Sequence, residues 1–155
     1  MATQVVDHSA LKVNQAGIIA TVLVAFVGSA FYRPALALIP LLAIVLLVGT
    51  FAPNLALFKQ FYFKVLKPRG IVKARPVQDR PEPHNFAQGL GGVFLAVSSF
   101  FLYLGSPTYG PLLLIIGLAL ALIVAVLAFV NFAFGYCLGC QIYFQLGKRG
   151  LIRAS

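Results

Sequence analysis

From Pro83 to Gly147 the chain carries no Asp, Glu, Lys or Arg. About a quarter of the residues in a soluble domain are charged, so an uncharged run of that length excludes an ordinary soluble fold. Over the whole chain 61% of residues are apolar and 10% are charged. A chain of 155 residues cannot turn that much apolar surface inward, and lipid is the solvent it suits. The fold class that follows is an all-α integral membrane protein, because a helix satisfies its own backbone hydrogen bonds where water is absent.

A bilayer core about 30 Å thick takes roughly 20 mostly apolar residues per helix. Four segments qualify: Val13–Tyr32, Pro34–Phe51, Phe86–Leu104 and Pro111–Phe134. Pro40 lies inside the second, and Ala52-Pro53 stops it. The first two are joined at Tyr32-Arg33-Pro34, the last two by the Gly/Pro-rich turn Gly105–Pro111. Such turns are tight, so the spans form two helical hairpins in a single four-helix membrane domain over residues 1–155. The first apolar run exceeds the 7–15 residues of a secretory signal core, and no small-residue cleavage site follows it, so the N-terminus is read as retained.

Orientation follows from Lys and Arg in the short loops. Lys12 precedes the first span. Lys59, Lys64, Lys67, Arg69, Lys73, Arg75 and Arg80 lie in the linker 54–85, and Lys148, Arg149 and Arg153 follow the fourth span. With four spans all of these fall on one side, and Arg33 alone falls on the other. Both termini and the linker are therefore expected in the cytoplasm, with the protein in the cytoplasmic membrane. The net charge of +9 sits beside apolar segments and suits anionic lipid headgroups rather than nucleic acid. Within the linker, Asn54–Leu66 interleaves aromatic and aliphatic residues with Lys59, Gln60 and Lys64, the pattern of an interfacial amphipathic helix. Tyr136–Leu146 has the same character.

Two leaders show a weak internal repeat. Asp7 and Asp79 each open a polar stretch that runs to Gln15-Ala16-Gly17 or Gln88-Gly89 and then into a span. Both hairpins cross in the same sense, so the repeat would be parallel, about an axis along the membrane normal. Asp7 and Asp79 are read as helix caps. Gly17, Gly89, Gly91 and Gly92 allow close helix approach near this level.

The chemistry-bearing motif is Cys137-Leu138-Gly139-Cys140. Thiols at this spacing can close a disulfide, exchange disulfides with a partner, or bind metal; they can also be inert small residues of a membrane helix. A continuous fourth helix would hold them at its electronegative end. A break at Gly135-Tyr136 would instead start a new helix near Cys137 and place that thiol at a helix N-terminus, which favours the thiolate. Cys137 and Cys140 with His8 and His84, the only histidines, could make a tetrahedral zinc site. Nothing in the sequence brings the leaders to the fourth helix, and two exposed loop histidines are the favoured reading. Asn14, Gln15 and Gln88 could form a polar cluster beneath the cysteines. Asn131, nine residues before Cys140, faces the other way on a continuous helix and is read, like Ser98 and Ser99, as interhelical hydrogen-bonding glue.

The Asp-bearing leader into Asn14-Gln15, the second leader Asp79-Arg80-Pro81-Glu82-Pro83 through Phe86-Ala87-Gln88, and the closing Phe134-Gly135-Tyr136-Cys137-Leu138-Gly139-Cys140 resemble the small bacterial membrane proteins of domain-of-unknown-function family 4395. The likeness covers nearly the whole chain, and the aromatic-Gly turn into Cys-Leu-Gly-Cys is its most specific part. It implies a layout similar to the DoxX-like proteins. Some members occur beside thioredoxin-like or rhodanese-like proteins, which implies thiol or sulfur handling by association.

The function expected first is a membrane thiol–disulfide or sulfur-relay component. Cys137 would attack, Cys140 would resolve, and a cytoplasmic thioredoxin-like or rhodanese-like protein would be the partner. A non-enzymatic accessory or scaffold subunit of a membrane complex is the second reading. A small-molecule transporter, its pore supplied by a homo-oligomer interface, is the third. No haem or quinone ligand set is visible in the sequence, and no cofactor is expected.

Overall fold

The computed structural model describes residues 4–105 and 110–152. Their elements are β1 (Gln4–Asp7), α1 (His8–Phe31), α2 (Leu38–Phe51), α3 (Leu57–Phe61), β2 (Pro76–Asp79), α4 (Pro81–Leu104), α5 (Pro111–Phe134) and α6 (Leu138–Lys148). Four helical segments, His8–Phe31, Arg33–Phe51, Pro81–Leu104 and Pro111–Phe134, are long and apolar enough to cross a membrane. The protein is an all-α membrane protein apart from one short ribbon.

Helix α4 packs chiefly on α2 and α5, and α1 chiefly on α5. The buried stripe of α1 holds Ile18, Val22 and Ala25, that of α2 holds Ile39, Leu42, Ala43 and Leu46, and that of α5 holds Ala121, Val124, Ala125 and Ala128. These spacings of three and four residues put each set on one helix face. The opposite faces are equally apolar: Leu23, Val27, Ile44, Phe100, Ile115, Val126 and Phe129 all point outward. Only 28% of each span's most apolar stretch is buried inside the bundle. A helix apolar all round with so little covered requires lipid on its outer face.

Helix α1 begins at His8 and α4 at Pro81, each one turn or more before the apolar boundary, because the polar leaders supply the first turn. The second span opens with a 3₁₀ turn, Arg33–Ala37, before α2. Pro40 then falls in the first turn of α2, where a missing N–H breaks no intrahelical bond. Of the turn Gly105–Pro111, residues 106–109 lie outside the described residues, as do Arg153 and the C-terminal end. Ser98 Oγ donates to Gly117 O at 2.6 Å across α4 and α5, whereas Ser99 Oγ bonds Leu95 O of its own helix. A Cβ on Gly17 would fall 2.5 Å from Phe58 and one on Gly89 2.9 Å from Thr50, while one on Gly92 would press on Leu47 at 3.0 Å; Gly91 has no neighbour nearer than 3.8 Å.

The polar leaders hold strands that their composition does not announce. β1 and β2 pair antiparallel, Gln4 opposite Asp79 and Asp7 opposite Pro76. The ribbon ties the starts of α1 and α4 together. Asp7 caps α1 by accepting from Ser9 N–H at 3.0 Å, and it also accepts from Arg75 N–H and the Tyr62 hydroxyl. Burial pushes the Asp7 carboxyl up, but the Arg75, Tyr62 and Ser9 hydrogen bonds outweigh it and hold the group below its ordinary value. The segment 54–66 is not one interfacial helix. A short α3 runs into a π-helical turn, Tyr62–Leu66, and Tyr62 is fully buried. The Asp7 acceptor makes that burial tolerable for a phenol.

Candidate functional site

Helix α5 stops at Phe134 because Gly135 turns left-handed, at φ 69°. Its N–H still closes on Asn131 O at 2.9 Å, the usual glycine C-cap. Cys137 is then the extended N-cap of α6, and its Sγ accepts from Cys140 N–H at 3.2 Å. The helix break proposed from sequence is present. Cys137 and Cys140 form a disulfide. Cys140 is buried and Cys137 half-buried.

Helix α6 folds back against the first turns of α4. A Cβ on Gly139 would fall 2.5 Å from the Ala87 Cβ, so only glycine permits this approach. The Phe86 and Tyr143 rings meet one turn further on, 5.5 Å apart. This packing brings His84, in the first turn of α4, to Cys140: His84 Nδ1 lies 3.6 Å from Cys140 Sγ. His84 Nε2 lies 3.1 Å from Asp79 Oδ2 at the end of β2. His8 Nε2 lies 3.3 Å from the same oxygen, without an aligned hydrogen bond. Burial pushes the Asp79 carboxyl up; His84, the Arg80 backbone N–H and His8 outweigh it and hold the group below its ordinary value. A carboxylate, an imidazole and a sulfur thus stand in line.

The histidines are therefore half-buried residues at helix starts, not exposed loop residues. They do not join the cysteines as one four-residue set. The ligating atoms of His84, Cys137 and Cys140 lie within 4.8 Å of one another, as do those of His8, Asp79 and His84. His84 belongs to both groups. Bonded to each other, the sulfurs are not the thiolates that a metal needs; reduced, they and His84 Nδ1 form a three-ligand set, with Asp79 behind the histidine.

Beneath Cys137 lies a cavity of ≈ 370 Å³, lined by Gln15, Gln88, Asn131, Cys137, Phe94 and Leu127 among others. Gln88 is buried and donates to Leu46 O at 3.2 Å. Asn14 is buried but stands outside this lining. Asn131 and Cys137 share the cavity because the chain breaks between them, while Cys140, the residue Asn131 was expected to face away from, is not in this lining. Asp79 was read as a cap; it makes no cap bond to α4 and instead accepts from the Arg80 N–H and from His84, with His8 close to the same oxygen. The available signal was that both histidines sit in the two leaders that resemble each other.

A family model described as a domain of unknown function (DUF4395) matches residues 6–148. The chain belongs to this family. The DUF4395 match runs from the second half of β1 to the last residue of α6, so β2, all four spans and the cysteine-bearing helix fall inside it. No curated protein and no solved structure matches this DUF4395 chain.

Proposed function

We propose that this protein is a membrane thiol–disulfide exchange or sulfur-relay component acting through Cys137 and Cys140. The observation that carries the reading is the asymmetry of the pair. Cys137 is half-buried at the N-terminus of α6, and Cys140 is buried with its sulfur 3.6 Å from His84 Nδ1. In thiol–disulfide exchange the attacked sulfur must be reachable and the leaving sulfur must be stabilised as a thiolate. A partner thiolate attacks Cys137 Sγ, the Cys137–Cys140 bond breaks, and Cys140 leaves as a thiolate beside His84. With Asp79 beside Nε2, His84 Nδ1 is placed to pass a proton to that thiolate. A second partner thiol, deprotonated, then attacks the partner sulfur of the mixed disulfide and releases Cys137. The partner leaves oxidised and the pair is left as two thiols. In the sulfur-relay form, reduced Cys137 attacks the outer sulfur of a partner persulfide, taking it up and releasing the partner thiolate.

Eleven of the twelve Lys and Arg residues lie at the end of the chain's spans that carries both termini. That asymmetry supports a cytoplasmic-membrane protein with the cysteines at the cytoplasmic face and anionic headgroups around them. A cytoplasmic thioredoxin-like or rhodanese-like protein is the partner this geometry suits. The test is the redox state of the pair, trapped by alkylation in native membranes. A pair that cycles under thiol stress, with Cys140→Ser chains trapped as a mixed disulfide by Cys137 attack on the disulfide of an oxidised partner, supports the proposal. A pair that stays fully oxidised, with Cys137→Ser and Cys140→Ser cells as resistant to thiol stress as wild type, overturns it in favour of a scaffold.

A further inference from the structure

Each exchange that oxidises a partner leaves two electrons on Cys137 and Cys140, and the cavity touching Cys137 reaches into the apolar interior. We propose that this cavity holds the ring of a lipid-soluble quinone, which takes those electrons and restores the disulfide. The inference rests on the thiol-exchange reading of the pair. Three features of the cavity select this ligand class. First, its place: the α5 residues that line it run from Val124 to Asn131, about 10 Å of helix at 1.5 Å per residue. That stretch belongs to a membrane-spanning helix, so the cavity lies at the depth of the spans. Its volume of ≈ 370 Å³ falls within the roughly 300–1,000 Å³ of small-molecule sites, which share its mostly apolar lining with few polar groups.

Second, its polar groups are amides and carry no charge. Gln15 and Asn131 make no side-chain hydrogen bond among the described residues, while Gln88 is held by Leu46 O. Both Gln15 and Asn131 are half-buried, with their amides on the cavity wall. Carbonyl oxygens on a flat apolar ring would satisfy their N–H groups, whereas the absence of any basic lining residue gives an anionic headgroup nothing to pair with. Third, the redox-active group on the wall is Cys137, so an occupant next to it is placed for electron transfer. The reaction balances: both S–H bonds break, the Cys137–Cys140 bond forms, and the two electrons and two protons convert quinone to quinol.

Gly91 gives a clean perturbation. It lines the cavity, and a Cβ there would meet Val124 and Leu46 only at 3.8 and 4.0 Å. A leucine at this position fills the cavity without displacing backbone. The full chain in phospholipid nanodiscs is reduced with dithiothreitol, desalted and mixed with decylubiquinone. Free thiols are counted by maleimide gel shift and quinol by its absorbance. The expected result is closure of the disulfide with one quinol formed per chain. Gly91→Leu should slow it at least about tenfold, a loss of 1.4 kcal/mol or more, with reoxidation by glutathione disulfide unchanged. Asn131→Leu, a second variant, should raise the quinone concentration for half-maximal rate about two- to tenfold through one lost hydrogen bond. Closure by glutathione disulfide with no quinol from decylubiquinone overturns the inference and leaves the exchange reading standing. Quinol formation at wild-type rate in both variants also overturns it. A pair inert to both oxidants sinks the exchange reading, and the quinone inference with it.

Discussion

Gly135 separates α5 from α6, and its replacement tests whether that break sets the chemistry of Cys137. At φ 69° a residue with a Cβ pays about 1–2 kcal/mol for the left-handed conformation. No atom lies within 4 Å of the position a Cβ would take, so packing adds nothing and the cost is the backbone's alone. Gly135→Ala therefore disfavours the hinged state by a factor of roughly 5–30 and favours α5 running on through Cys137. Asn tolerates the left-handed region better than other residues with a side chain, so Gly135→Asn should recover most of the loss. The assay has two readouts, both in nanodiscs. Thermal unfolding should fall by a few degrees for Ala, at about 2–4 °C per kcal/mol for a chain of this size, and by less for Asn. Alkylation of reduced Cys137 at neutral pH, measured in a Cys140→Ser background, should slow in Ala and not in Asn. The reason is that the thiolate is the nucleophile and a helix N-terminus favours it. If Ala, Asn and wild type alkylate at one rate, the position of Cys137 at the start of α6 does not govern its reactivity.

Three other outcomes are expected. Gly139→Ala forces a methyl to within 2.5 Å of the Ala87 Cβ and should destabilise the α4–α6 contact by about 1–3 kcal/mol, read as faster hydrogen exchange in α6. Ser98→Ala removes the 2.6 Å bond to Gly117 O and should cost about 0.6 kcal/mol, at most near 1.7, by the values measured for such bonds in membranes; resistance to denaturation in detergent checks it. Asp7 and Asp79 are both held below the carboxylate reference of 3.8. The stability they contribute is present above pH 3.8 and is lost as pH falls through their lower folded-state values, so the ribbon amides should lose exchange protection only below that pH.

The spans were legible because hydropathy over about 20 residues depends on nothing distant in the chain. The break at Gly135 was legible for a related reason: a glycine between an apolar run and an amphipathic one is a local signal. The ribbon was not. Gln4–Asp7 and Pro76–Asp79 are short and polar, with no alternating apolar face, and each becomes a strand only by pairing with the other across the intervening hairpin. The histidine cluster was hidden with it, since His8 and His84 meet at Asp79 only once the leaders are tied. The approach of His84 to Cys140 depends further on Gly139 lying against Ala87, a contact that no periodicity reports.

The two leader aspartates show how one local pattern takes two roles. The antiparallel register sets Asp79 opposite Gln4 and Asp7 opposite Pro76, so the carboxylates emerge at opposite ends of the same ribbon. At one end Asp7 meets Ser9, Arg75 and Tyr62, all of them parts of the linker and the α1 cap, and its work is to hold the linker down. At the other end Asp79 meets His84 and His8. There the next group in line is Cys140 Sγ, pinned by α6. The similar leaders could not distinguish the two residues in sequence, because the difference arises from the polarity of the ribbon and from which helix end each carboxylate faces. The same ribbon that closes the linker over α1 therefore fixes the distance from Asp79 through His84 to the disulfide. Any motion that separates β1 from β2 would be felt at the cysteine pair through His84.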